Sequence, residues 1–163
     1  MLVPVGATVC ATAGASTPSV GACRANAVKI SLGQAFGAAG TSIQVIDFQN
    51  VGGSTCSLAG NPVVGFIAVP RSLPEYNAVP VASVSNDTRP LTHPRVLLVR
   101  PGASASVALL GGDVQIDNRP SVSWSGIEVT LPGRSSGTTL NRAMSSYSGF
   151  HVTGFVRGTS AGT

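Results

Sequence analysis

From Ala27 onward the chain is written as apolar runs of about four to eight residues, closed by glycine, proline or asparagine. That length suits a β-strand and falls short of the roughly ten to twelve residues expected of a helix. The punctuation is dense, with 20 glycines and 11 prolines in 163 residues. Only 10% of the chain is charged, against about 25% in an ordinary soluble domain. Coiled coils and helical bundles need charged faces outside their apolar stripes, so this composition excludes them. Charge-rich disorder is excluded as well, because 43% of the residues are hydrophobic. A β protein with a surface of Ser, Thr, Asn and Gln remains.

The runs can be placed in order. Ala27–Leu32 and Ser42–Gln49 read as strands, and a bulge near Val45-Ile46 would let both parities of the second reach a core. Asn50-Val51-Gly52-Gly53 is a turn before Thr55–Leu58, and Gly60-Asn61-Pro62 breaks that segment before Val63–Val69. Pro70–Pro80 reads as a loop carrying Pro74, Glu75 and Tyr76. Val79–Val84 reads as an edge strand, since Pro80 has no ladder donor. Ser85–Pro94 is polar and turn-rich. Val96–Val99 and Ala103–Leu110 flank the turn dipeptide Pro101-Gly102. Gly111–Ser123 reads as a long connection, Trp124–Leu131 alternates again, and Pro132–Thr138 turns. Leu140–Tyr147 reads as one short helical turn, and Gly149–Val156 closes the set.

Eight or nine strands at this spacing predict an all-β, antiparallel two-sheet sandwich of immunoglobulin-like or Greek-key type. One domain over 22–157 is expected, with 1–21 as a signal-peptide remnant or flexible N-terminal tail and 158–163 as a C-terminal tail.

Met1–Ala15 is apolar, carries no charge and ends in the small residues Ala13-Gly14-Ala15, which reads as the back half of a secretory signal. It is too short and too broken to span a bilayer, so no transmembrane span is expected in the mature chain. Export leaves Cys23 and Cys56 as an even pair, with Cys10 inside the leader. A bridge between them would close a loop of about 34 residues and contribute roughly 3 to 4 kcal/mol. Two other readings stand beside it. Val20-Gly21-Ala22-Cys23 resembles a lipobox with a lipidated cysteine, and three free thiols would suit a cytosolic chain.

Ten basic residues against six acidic ones give a net charge of +4. The cations are Lys29 and nine arginines dispersed from Arg24 to Arg157, without a run of neighbours or interleaved aromatics. Nucleic acid is therefore not expected as a partner. A solvated surface, or weak attraction to anionic envelope polymers or lipid headgroups, fits this pattern. The only histidines are His93 and His151, and no G-x-S-x-G elbow, P-loop or Cys/His cluster accompanies them. The carboxylates are Asp47, Glu75, Asp87, Asp113, Asp117 and Glu128. Asp113 and Asp117 share one connection but fail the EF-hand spacing, leaving a weak calcium loop or a solvated turn. Asn86-Asp87-Thr88 matches a glycosylation sequon. Tyr76 and Trp124 are the aromatics that could mark a ligand face, and a lone Trp more often plugs a core.

The order of several pieces resembles a known family. Cys23 precedes Ile30-Ser31-Leu32-Gly33. Val45-Ile46-Asp47-Phe48-Gln49-Asn50 follows, then Gly52-Gly53-Ser54-Thr55-Cys56-Ser57-Leu58 and Gly60-Asn61-Pro62. Leu98-Val99-Arg100-Pro101-Gly102 and Val129-Thr130-Leu131-Pro132-Gly133 come later. This is similar to the secreted and lipoprotein domains of actinobacteria known as domain of unknown function 4232. The resemblance implies an exported β-sandwich with Cys23 bonded to Cys56. Many members carry a further cysteine pair in the second half, which this chain lacks. No established activity comes with the family.

The function expected is an exported, non-catalytic envelope module, binding or structural, with no cofactor and with an envelope polymer, lipid or protein as partner. The alternatives are a hydrolase assembled from His93 or His151 with a distant carboxylate, and a metal-handling envelope protein using a histidine with nearby Asp residues.

Overall fold

The structure is a computed structural model and describes residues 19–68, 76–77, 79–80, 96–115, 121–147 and 150–159. The first strands are β1 (Val28–Ala38), β2 (Thr41–Asn50), β3 (Cys56–Leu58), β4 (Val63–Ala68), β5 (Tyr76–Asn77) and β6 (Val79–Pro80). They are followed by β7 (Leu97–Val99), β8 (Ser104–Gly112), β9 (Val122–Thr130), β10 (Thr138–Ser146), β11 (Phe150–Val152) and β12 (Val156–Arg157). The larger sheet runs β1-β2-β8-β11-β6, with β12 also on β8; the smaller runs β10-β9-β4-β5; and β3 pairs with β7 as a ribbon. Among the described residues every ladder is antiparallel except the short one between β6 and β11.

The two sheets bury one core between them. Ile46 and Phe48 of β2, Val107 and Leu109 of β8, and Phe150 and Val152 of β11 meet Val64 and Phe66 of β4 and Ile127 and Val129 of β9. Phe66 stacks on Phe150 with centroids 4.6 Å apart, and Trp124 meets Phe150 edge-on at 5.2 Å. Each such ring removes enough apolar surface from water to contribute roughly 1.5 to 3 kcal/mol. A methyl group at Gly111 would run into the Phe150 ring, so glycine is the residue that lets the stack close.

The all-β sandwich expected from the punctuation is present, with differences of detail. Twelve strands stand among the described residues instead of eight or nine. Leu140–Tyr147 is not helical. It belongs largely to β10, an edge strand paired with β9 along one side only. Three of its residues turn inward: Leu140 and Met144 pack on the core, and Ser146 is buried with its hydroxyl donating to the Gly112 carbonyl. A spacing of four between Leu140 and Met144 suits either a strand or a helix, and the exposed positions around them are mostly polar. Within the expected Pro70–Pro80 loop, Tyr76–Asn77 forms β5, and Val79–Pro80 stands as β6 at the edge of the described sheet, while the rest of the strand expected over Val79–Val84 lies outside the described residues. Gly111–Ser123 is shorter as a connection than expected, since β8 continues to Gly112 and β9 starts at Val122.

The anticipated bulge is also elsewhere. β2 pairs with β8 without interruption from Thr41↔Gly112 to Gln49↔Ser104. The irregularity lies in β1 between Leu32 and Ala35. Gly33 sits there because a Cβ would come within 2.7 Å of Asp47 Oδ2. Both parities of β2 are buried for another reason. One faces the main core, while on the other face Val45 and Ala108 form a small second cluster with Phe36, Ile43, Leu110 and Val156.

Candidate functional site

The strands define two ends. At one end, several of the residues that carried the family resemblance, from Cys23, Asn50–Cys56, Arg100–Gly102 and Leu131–Gly133, converge into a cap. Cys23 and Cys56 are bonded, with Cα atoms 4.8 Å apart. The Cys23 N–H donates to the Ser57 carbonyl and the Ser57 N–H to the Gly21 carbonyl, both at 2.9 Å. Buried Asn50 holds the next turn: its Nδ2 donates to the carbonyls of Ser54 and Val99 at 2.9 Å, and its Oδ1 accepts from Gly52 N at 2.9 Å. Arg100-Pro101-Gly102-Ala103 and Leu131-Pro132-Gly133-Arg134 close with N–H to carbonyl bonds of 3.0 and 3.1 Å. Gly102 and Gly133 have φ of 77° and 72°, as the third position of a Pro-Gly type II turn requires. Arg134 Nη2 then donates to the Cys23 carbonyl at 3.2 Å, tying the last turn to the first.

The same end gathers the positive charge that is scattered in sequence. Six cations fall among the described residues, all exposed. Arg24 follows the bonded cysteine, and Arg100 and Arg134 stand in the two Pro-Gly turns. Lys29 is one rung into β1, opposite Gln49, and Arg157 pairs with Ala105 at the start of β8. Among the described residues only Arg142 lies toward the far end.

That far end, around the Ala39-Gly40 hairpin turn, holds a cleft of about 360 Å³ between β1 and β10. Phe36, Ile43 and Met144 give it apolar walls, with Gln44, Asp113 and Arg142 as its polar contacts. Gln44 is buried. Its Nε2 donates to the carbonyls of Gly33 at 3.1 Å and Val45 at 2.7 Å, and its Oε1 has no hydrogen-bond partner among the described residues. The bulges of both edge strands border the cleft, at Leu32/Ala35 in β1 and Asn141/Met144 in β10.

The groups weighed as catalysts do not come together among the described residues. Asp47 is in β2, Asp113 follows β8, Glu128 is in β9 and His151 is exposed in β11. No three His, Cys, Asp or Glu side chains converge there as a metal set. Burial pushes the Asp47 carboxyl above its ordinary pKa, and its Oδ1 has neither solvent nor a hydrogen-bond partner among the described residues. Trp124 is 4% exposed and plugs the core, as the commoner behaviour of a lone Trp suggested. His93, Glu75, Asp87, Asp117, Cys10 and the sequon at Asn86 lie outside the described residues, as does the Tyr76 side chain. The bond to Cys56 removes the lipobox reading of Cys23, whose sulfur is not free to carry a lipid, and with it the reading of three free thiols.

Among the described residues no helix is long and apolar enough to cross a membrane. Sequence reasoning missed the clustering of cations because it read them along the chain. The signal was present in the turns: Arg24, Arg100 and Arg134 all precede or follow strands at one end of the sandwich. Neither a curated protein nor a solved structure matches the chain. A family model described as a domain of unknown function (DUF4232) matches residues 23–155, the span from the bonded Cys23 to the aromatic Phe155 that packs on Phe48. The chain belongs to the DUF4232 family.

Proposed function

We propose that this protein is an exported, non-catalytic module of the cell envelope that works by binding or as a structural part. One observation carries the reading: the bridge between Cys23 and Cys56. Disulfides persist in extracytoplasmic compartments, while the cytosol keeps thiols reduced. The uncharged apolar stretch Met1–Ala15 fits the same route. The non-catalytic half of the reading rests on the placement of His151, Asp47, Asp113 and Glu128 on separate elements. Acid–base chemistry needs such groups within reach of one substrate atom.

Fractionation of cells that carry the tagged chain tests the proposal. The protein is expected outside the cytoplasm, retained on envelope material, with no reactive thiol at Cys23 or Cys56 before reduction. Recovery in the cytosol with both thiols titratable refutes it.

A further inference from the structure

We infer that the disulfide-capped end of the sandwich is a docking surface for an anionic phospholipid bilayer. Two independent features of that end point there, charge and exposed aliphatic side chains. Arg24, Lys29, Arg100, Arg134 and Arg157 present five cations from five separate elements. The described carboxylates do not offset them in the turns: Asp113 is at the opposite end, Glu128 is within β9, and the Asp47 Oδ1 is shielded within the sheet. Four of the five cations are arginines, whose planar fork matches phosphate oxygens two at a time.

Beside them stand aliphatic side chains that the fold leaves in water. Val51 is 55% exposed at the tip of the Asn50 turn, and Val96 is 63% exposed where the chain enters β7. Leu98 is 43% exposed in β7 and pairs with Ser57, whose hydroxyl donates to the carbonyls of Val20 and Gly21 at 3.5 and 3.2 Å. These bonds hold the backbone at exposed Val20 against the β3–β7 ribbon that carries Leu98, and the Asn50 bond to the Val99 carbonyl ties the Val51 turn to the same ribbon. Cations ringed around aliphatics match a headgroup layer, where phosphates meet the cations and the apolar groups reach the acyl boundary. A soluble phosphate polymer would use the arginines and leave the aliphatics idle. Nucleic acid would call for exposed aromatics to stack its bases, and Trp124, Phe48 and Phe155 are all turned into the core.

The direction from which the chain arrives agrees. Ser19 and Val20, which follow the apolar, uncharged Met1–Ala15 stretch in sequence, stand at this end beside the Gly21–Ser57 bond. The inference rests on the export reading for its setting, but its test is made in vitro and is separate from the fractionation above.

Co-sedimentation of the full chain with phosphatidylglycerol/phosphatidylcholine vesicles tests it, with pure phosphatidylcholine as the neutral arm. Binding is expected on anionic vesicles and should be lost as salt rises. Arg24→Gln with Arg100→Gln should weaken it by about thirty-fold, from the usual contribution of each cation at an anionic surface. Val51→Ser with Leu98→Ser should weaken it further, whereas Arg142→Gln at the opposite end should change it less than about two-fold. Circular dichroism of each variant reports whether the fold is kept. Equal binding to neutral vesicles, or equal loss in Arg142→Gln, overturns the inference. So does tight binding to soluble polyphosphate or DNA that the aliphatic substitutions leave unchanged.

Discussion

Removing the bridge is the most direct test of how this fold is held. Replacing Cys23 and Cys56 together by alanine deletes a cross-link that spans 33 positions. In the chain-entropy description, freeing a loop of that size in the unfolded state costs the native state about 3.8 kcal/mol. The native contacts around it stay in place. The Cys23–Ser57, Ser57–Gly21 and Arg134–Cys23 hydrogen bonds use backbone groups as acceptors and, in the first two, as donors, so they do not need the sulfurs. The variant should therefore fold to the same β structure, with a lower midpoint in guanidinium chloride. With a slope of about 4 kcal/mol per molar, the expected shift is close to 1 M. The slope itself should rise, because the unfolded chain becomes more open. Oxidised wild type, reduced wild type and the double variant form the comparison, read by tryptophan fluorescence of buried Trp124. Coincident curves for all three would show that the bridge constrains nothing and would remove the basis of both the stability and the compartment arguments.

Other substitutions probe the core and the cap. Phe150→Ala takes out the ring between Phe66 and Trp124 and should cost about 3 to 5 kcal/mol in chemical denaturation. A loss below about 1 kcal/mol would mean that the sheets do not meet through that stack. Asn50→Ala leaves the Val99 carbonyl and Gly52 N–H without their partner and should cost roughly 1 to 3 kcal/mol, visible as a lower Tm with unchanged circular dichroism. Asp47 sets a pH dependence whose sign follows from its raised pKa. The folded state binds the proton more tightly than the unfolded state, so the contribution is fully present below the unfolded pKa and is lost as pH rises through the folded one. Asp47→Asn should remove that loss, and its Tm advantage over wild type should grow from acid toward neutral pH. An advantage independent of pH would refute the assignment.

The parts of the fold that were legible in sequence are those where local chemistry decides. The Pro-Gly dipeptides at 101–102 and 132–133 became type II turns, because Pro sets the first dihedral and Gly accepts the positive one. Ser42–Gln49 became the middle of β2. The elements that were misread depend on neighbours. β10 carries few apolar residues because most of this edge strand faces water, with Leu140 and Met144 on the core and polar Ser146 as its buried end, and nothing in the sequence itself marks it as an edge. The β1 bulge was sought in β2 because both parities there are apolar, yet the second cluster over Val45 and Ala108 accounts for that burial without any slip. The aromatic stack was not foreseen because Phe66, Trp124 and Phe150 come from three strands of two sheets.

The candidate surface was illegible for a related reason, and the reason is general to antiparallel sheets. Successive strands reverse direction, so residues in alternate turns fall at the same end however far apart they are in sequence. Here the entry to β1, the turn after β2, the Arg100 turn before β8 and the Arg134 turn after β9 all lie at the disulfide end, and they carry Arg24, Val51, Arg100 and Arg134. The far end receives the Ala39-Gly40 hairpin, the close of β8 and the close of β10, with Asp113 and Ser146 drawn to Gly40 and Gly112. The described cations are thus unevenly distributed: their dispersion along the chain and their concentration at one end are the same fact seen before and after the strands pair. Among the described residues, five of six cations stand at one end, and strand reversal alone is enough to bring them there.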